Sequence, residues 1–448
     1  MASPSQRSHP GPPLPRKSEV SSNRTLACRA RTLPDRKAAA TEAALYVNSA
    51  SSDFGALPLS GGSAITKSPV HQIGFKMGLS NIQILEIGDH HHFKQTFFER
   101  THLLWTGHRR PKSLAPEDYA DCTPRAFAQA MREVAEGKFD IVVAYAGQRS
   151  PWHPRFWLRA MFSDSPLTAA VRVFGVAWLR HMQLRVPMVV LDMHDLATIH
   201  PSNFFLLDVA RVYFKRELPV DHWQTLYGAA HANLPTLRIR RNPHWRRRLA
   251  KLQPISLQAG LFDLDCPDAD VFSAKAFDVF FAGTIDGNST VRSDGLQQLR
   301  ILADRGLKID IATDRLSQAE FCRRMSRAWL AWSPSGLGWD CYRHYEAPQC
   351  LAVPVINYPT IARHQPLKDG VHAVYYAPEG EGLSCAIEAA LADKERLRSI
   401  AIAGRAHVRA NHAGPAFCER VLRSALRDEI SSCRDEAPIP GEGADAVQ

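Results

Sequence analysis

From Asn81 onward, short continuous apolar runs alternate with stretches whose apolar residues return every three or four positions. Ile82-Gln-Ile-Leu-Glu-Ile87 reads as a strand running into Gly88-Asp89-His90, and Pro124–Glu136 reads as a helix. Phe139–Tyr145 and Val186–Leu191 are further strands, with a helix expected over Pro166–Gln183 between them. Short segments at Ala210–Leu218 and Ala229–Leu234 precede a basic stretch, Arg238–Lys251. A second series opens with the strand Phe277–Ala282 and the helix Ser293–Asp304, then the strand Leu307–Ala312 and a helix near Ser317–Ala328. Trp329–Trp332, Val353–Asn357 and Ala373–Tyr376 continue the strands, with a helix near Cys341–Cys350. Helices at Leu383–Ala392, Lys394–Asn411 and Pro415–Ser431 end the series.

Strands that alternate with helices must pair in parallel, because a parallel pair needs a long crossover. The expected fold is therefore α/β, with two Rossmann-like domains facing a cleft and ligands bound beyond the carboxyl ends of the strands. The divisions are a disordered basic tail over 1–76, a domain over 77–255, a linker over 256–276, a second domain over 277–431 and a disordered tail over 432–448.

Composition supports a globular chain: of 448 residues, 45% are hydrophobic and 22% charged, which excludes wholesale disorder and collagen-like repetition. The formal charge of +10 is unevenly placed, since 1–76 carry ten basic residues and four acidic ones. A high pI is thus a property of the tail, and a nucleic-acid partner is not expected. The tail has no apolar segment for a secretory signal; an Arg- and Ser-rich transit peptide is the alternative to a plain extension. Met77-Gly-Leu-Ser-Asn, just before the first strand, offers another start. Nine scattered cysteines without a CxxC pair argue for reduced thiols and a cytoplasmic location.

The strongest local signal is Ser333-Pro-Ser-Gly-Leu-Gly-Trp-Asp-Cys-Tyr-Arg-His-Tyr-Glu346. A strand enters a loop holding Ser335, Gly336 and Gly338, and the loop opens a helix whose first N–H groups suit an anion such as a diphosphate. Arg343 and Glu346, three apart, can share one helix face, the arginine for phosphate and the glutamate for ribose hydroxyls. An i,i+3 ion pair on a solvated face is the competing reading.

Arg343-His-Tyr-Glu-Ala, Val353-Pro-Val-Ile, Asp369-Gly-Val-His-Ala-Val-Tyr-Tyr and Ala401-Ile-Ala-Gly-Arg-Ala-His-Val408, in that order, resemble the C-terminal domain of GT-B glycosyltransferases. The spore-maturation, CgeB-type group is the most similar, over about 150 residues from Asp278. The resemblance implies a nucleotide-sugar donor on the C-terminal domain, with Glu346 at the ribose. It also implies that the loop with Gly283 and Thr284 faces the phosphates, within reach of Arg292. Many retaining members carry a second glutamate earlier in the chain, separated from the one matching Glu346 by seven residues, where this chain has Gly338, with Asp340 two residues away. That departure favours inversion and leaves a non-catalytic nucleotide- or sugar-binding protein as the alternative to a transferase.

The N-terminal domain is then expected to bind the acceptor (a glycan, a protein or a small molecule) and to supply a base. His90 and His194 are the candidates, with Asp89 and Asp195 as orienting carboxylates. The Asp263-Leu-Asp265 and Asp268-Ala-Asp270 triplets fall in the linker, so neither a metal nor another cofactor is expected beyond the nucleotide-sugar co-substrate. Arg238–Lys251 holds seven basic residues and one Trp. A solvated helix, an anionic acceptor site, RNA and peripheral membrane contact are its readings.

Overall fold

The protein, seen in a computed structural model, is described over residues 79–426, except 80, 108, 112, 148–175, 177–178, 180–183, 228–235, 261–267, 286–288 and 313. The tails expected over 1–76 and 432–448, the segment 229–234, Asp263, Asp265, Gly287 and nearly all of the helix expected over 166–183 lie outside the described residues.

In the first half, β1 is Ile84–Gly88, α1 His92–Thr96, β2 Thr101–Trp105, β3 Ala120–Asp121, α2 Pro124–Ala135, β4 Ile141–Tyr145 and β5 Met188–Asp192. It continues with α3 Leu206–Val209, β6 Val212–Lys215, α4 Leu237–Arg241, α5 Pro243–Ala250 and β7 Leu252–Pro254. The second half has α6 Asp268–Ser273, β8 Phe277–Ala282, α7 Thr290–Asp304, β9 Ile309–Ala312, α8 Gln318–Ser326 and β10 Ala328–Trp332. After these come α9 Tyr342–Gln349, β11 Val353–Asn357, β12 Val374–Tyr376, α10 Gly382–Leu391, α11 Lys394–Asn411 and α12 Gly414–Ala425. The strands β2, β3 and β7 and the short helices α1 and α3 add to the elements expected from the pattern.

The strands form two sheets, ordered β3-β2-β1-β4-β5-β6-β7 and β12-β11-β10-β8-β9, and neighbours pair in parallel throughout. Every residue of β1, β4 and β5 is buried, as strands covered on both faces must be. Alternate positions divide between the faces. Leu85, Ile87, Val142, Ala144 and Val190 pack with Phe127, Ala130, Met131 and Val134 of α2. That helix starts cleanly, with Thr123 Oγ1 accepting from Ala126 N–H at 3.1 Å and Pro124 in its first turn.

Ile84, Ile141, Val143, Val189 and Leu191 line the other face and pack with Phe417, Cys418, Val421 and Leu422 of α12. The last helix therefore returns to the first sheet, where Arg420 also donates to the Pro254 carbonyl at 2.6 Å. In the second sheet, Val279, Phe281, Leu330, Trp332, Val353 and Val355 bury one face beneath α7, α10 and α11. Asp268 and Asp270 fall in α6 and do not end a strand.

Both sheets have a topological switch point, where the strand order reverses: between β1 and β4 in the first and between β8 and β10 in the second. Loops leaving the carboxyl ends of those strands splay apart and leave a crevice. Gly88–His91, Gly283–Ile285 and Ser333–Asp340 are loops at the carboxyl ends of β1, β8 and β10.

Candidate active site between the two sheets

On the first sheet, β1 delivers Asp89 and His90, whose Oδ1 and Nδ1 lie 3.0 Å apart. The His90 ring stacks on Tyr145 at 5.2 Å. Burial disfavours the His90 cation, but the adjacent Asp89 and the nearby Glu86 outweigh it and raise its pKa. His91 turns away to Ser113 Oγ at 2.8 Å, and His92 is buried with its Nδ1 2.9 Å from the Tyr145 hydroxyl. Of the three consecutive histidines, His90 alone faces His194.

β5 ends in Asp192, and His194 follows. The expected carboxylate partner of His194 needs correcting. His194 Nδ1 lies 3.3 Å from Asp192 Oδ1, whereas the Asp195 carboxylate pairs with Arg216. Two residues past a strand end, a side chain can fold back on the last strand residue; the next one points across to β6. Asp192 is fully buried and accepts from Tyr213 Oη at 2.8 Å and Lys215 Nζ at 3.1 Å. Burial opposes its charge, but Lys215 and His194 prevail and lower its pKa. Burial lowers the His194 pKa against the pull of Asp192, which leaves a neutral imidazole at neutral pH. The Asp89 and His90 charges act on His194 as well, so the two loops share one space.

On the second sheet, Arg292 of α7 ties the two glycine loops together. Its Nε donates to the Ser335 carbonyl at 3.1 Å and its Nη1 to the Thr284 carbonyl at 2.9 Å. Ser335 is held further by its N–H on Asn357 Oδ1 at 2.8 Å. Arg343 occupies the space where a side chain on Gly283 would sit, and its Nη1 donates to the Ala282 carbonyl. Its Nε is buried with no hydrogen-bond partner. The Arg343 guanidinium therefore braces the end of β8, directly under the Gly283 loop. One turn along α9, Glu346 is only 8% exposed, yet no donor among the described residues reaches its carboxylate. Burial raises its pKa to about 7 despite Arg343. His344, on the opposite side of α9, is a structural residue. Its Nε2–H donates to the Trp339 carbonyl at 2.9 Å, and its Nδ1 accepts from Ser333 Oγ at 2.7 Å.

The halves meet at these loops. Glu217, two residues past β6, accepts from Trp339 N–H at 2.9 Å and Asp340 N–H at 2.8 Å. Arg216 donates to the Asp340 carbonyl at 3.1 Å, and Asp340 Oδ2 accepts from Leu257 N–H at 2.8 Å. Gly338 must be glycine here, since a Cβ would lie 2.5 Å from Glu217 Oε1 and 3.0 Å from the Asp195 carbonyl. Asp340 does not stand in for the glutamate missing at 338: its carboxylate is turned to Leu257 N–H and the Tyr345 hydroxyl. The carboxylate beside Gly338 comes from the other half of the chain. The N–H groups of 339 and 340 are taken by Glu217, and those of 335 and 336 by Asn357 Oδ1 and the Gly338 carbonyl, which leaves the loop at 283–285 and the start of α9 for a phosphate. Tyr342, the first residue of α9, is 39% exposed.

No family model matches the chain, and no curated protein matches it. Several solved structures resemble it distantly. Sucrose-phosphate synthase from Thermosynechococcus elongatus is 12% identical, spanning 78% of this chain and 100% of that one at a TM-score of 0.46. A glycosyltransferase from Rickettsia africae is 11% identical, spanning 78% and 98% at 0.47. Anabaena HepE in complex with UDP is 12% identical, spanning 78% and 100% at 0.44. Likenesses at this level assign no residue a role, and the spore-maturation family stays a resemblance. The fold rests on strand order: two Rossmann-like α/β halves.

The sequence places Phe214-Lys-Arg-Glu217 near the cleft as a helix end with no assigned role; the structure makes it the end of β6, with Arg216 and Glu217 in the loop that follows. Asp192, just past the strand expected over 186–191, received no role, and the parts played by Arg216 and Glu217 depend on two distant segments meeting.

Proposed function

We propose that the protein is a GT-B glycosyltransferase that moves a sugar from a nucleoside-diphosphate donor to an acceptor hydroxyl. The observation that carries this reading is the Glu346 carboxylate. It is 8% exposed, no donor among the described residues reaches it, its oxygens are not sealed from solvent, and it stands beside glycine loops at a switch point. A carboxylate placed this way has its acceptor positions open to a ligand. Two vicinal ribose hydroxyls would satisfy it.

In this reading the diphosphate lies against the Gly283-Thr284 loop and the start of α9, with Arg292 and Arg343 supplying positive charge behind them. Across the cleft, the free Nε2 of His194 takes the proton from the acceptor hydroxyl. Asp192, its Oδ1 3.3 Å from Nδ1, stabilises the imidazolium that forms. The acceptor oxygen bonds to the anomeric carbon as the bond to the diphosphate oxygen breaks, and the arginines and loop N–H groups meet the charge that departs. This needs no metal, and it inverts the anomeric centre because the base and the leaving group lie on opposite sides of the sugar. His90, with its Nδ1 turned to Asp89 and its ring stacked on Tyr145, fits better as part of the floor of the site than as the base.

The decisive measurement is thermal stability of the pure protein with UDP, GDP, ADP and their sugar conjugates. A nucleotide present at about 100 times its Kd should stabilise the fold by about 2.7 kcal/mol. Glu346→Ala should remove that stabilisation while the unliganded melting temperature holds. A lack of response to every nucleotide, or an unchanged response in Glu346→Ala, refutes the donor site. Glu217 filling the 339 and 340 N–H groups favours a second reading, a protein that binds the donor without using it. Nucleotide binding without any release of sugar, by hydrolysis or transfer, would select that one.

A further inference from the structure

The basic stretch 237–251 forms α4 and α5, joined at Asn242, whose Oδ1 accepts from His244 N–H at 2.9 Å. Internal acids neutralise only part of it. Arg248 pairs with Asp208, Arg240 pairs with Asp221 at 3.0 Å, and Lys251 Nζ donates to the carbonyls of Asp208 and Ala210. Arg238, Arg241 and Arg247 are exposed, and none meets a carboxylate among the described residues. The segment from Leu237 to Lys251 contains no acidic residue.

Two aliphatic side chains stand out in the same place. Leu237 is 62% exposed and lies one turn from Arg241 on α4; Val220 is 78% exposed and adjoins Asp221, which the ion pair with Arg240 ties to α4. The two tryptophans nearby are already covered. Arg240 lies over Trp223 at 5.7 Å, and Arg248 lies over Trp245 at 4.5 Å, with Phe204 edge-on to Trp245 at 5.6 Å. Single-stranded nucleic acid binds on open aromatic faces, whereas a lipid surface takes protruding aliphatic chains ringed by arginine.

We propose that α4, the start of α5 and the Val220 turn form a docking surface for an anionic lipid membrane. Leu237 and Val220 enter the headgroup region, and Arg238, Arg241 and Arg247 contact lipid phosphates. β6 runs into this turn, so the surface lies at the carboxyl edge of the first sheet, on the side where the cleft opens. The proposal stands whether or not the protein transfers a sugar.

The test is co-sedimentation of the full-length protein with vesicles of phosphatidylcholine alone and of phosphatidylcholine mixed with phosphatidylglycerol. Binding is expected only to the mixture and should weaken as sodium chloride is raised. Each arginine near an anionic surface is worth about fivefold in partitioning, so R238E/R241E should lower it by about 25-fold or more. L237E should also lower it, and R247E serves as an independent variant. All of these side chains are exposed, and circular dichroism checks that each variant folds. Failure to bind the mixed vesicles overturns the proposal, as does binding unchanged in R238E/R241E, which would put the contact in the basic tail. A loss in R238E/R241E with no loss in L237E, together with equal capture of a fluorescent oligouridylate, would show a polyanion site and also overturn it.

Discussion

Glu217→Gln sets two strong effects against each other, and the structure decides between them. The wild-type carboxylate accepts two N–H groups from the opposite half and feels Arg216, all of which favour its charge. Burial opposes the charge and is the larger effect; with Asp340 assisting, it raises the pKa from 4.5 to about 7. In the unfolded chain the group ionises near 4.5; in the folded chain it does so only near 7. The stability it lends is therefore full below 4.5 and is lost as pH rises through about 7. At 1.36 kcal/mol per tenfold, the gap between 4.5 and about 7 is worth about 3 kcal/mol. Glutamine does not titrate, and its single carbonyl oxygen accepts only one of the two N–H groups. Urea denaturation should therefore find the variant less stable than the wild type at the acid end, by about 1–3 kcal/mol for the N–H left facing the amide nitrogen. The variant should then gain on the wild type by about 3 kcal/mol as pH rises from 4.5 through about 7. A pH-independent difference would show that the two N–H bonds and Arg216 outweigh burial and would refute the raised pKa.

Three further outcomes are expected beside those for Glu346 and the lipid surface. His194→Gln should lower kcat by about 10²–10⁴ while nucleotide-induced stabilisation is kept, because a base acts on the proton and not on donor binding. Burial lowers the His194 pKa, so the acid limb of the wild-type pH–rate profile should fall below 6.5; a limb above 6.5 would exclude His194 as the base. Gly295→Ala, in α7, should destabilise the protein by about 1–3 kcal/mol in urea denaturation, because the new methyl runs into the buried Trp332 ring. Trp332 cannot easily move away, since its Nε1 donates to Tyr376 Oη at 3.0 Å. A neutral Gly295→Ala would mean that the helix shifts to relieve the contact.

Much of the architecture was legible in the pattern. Phe277–Ala282 and Val353–Asn357 form strands over the residues expected, because short apolar runs between turn residues have few other solutions. Thr101–Trp105 was missed although it is buried at four of five positions; His102 breaks the run, and only pairing with β1 makes it a strand. The loops carrying His90, Gly283 and Ser335 were recognised by their place after strands, a local property. The partners of those residues were not, since hydrogen bonds such as Glu217 to 339 and 340 join positions more than 120 residues apart.

What the sequence determined by itself was periodicity, and with it two runs of alternating strands and helices and their parallel pairing. These follow from local sterics and from burying apolar side chains, which each segment expresses on its own. Only the tertiary structure decided which charge meets which. It gave His194 to Asp192, placed Glu217 against Gly338, turned Asp340 into the linker and left Glu346 without a partner. Those outcomes depend on desolvation and on contacts across the two halves. Neither is a property of any stretch of chain until the fold has brought distant stretches together.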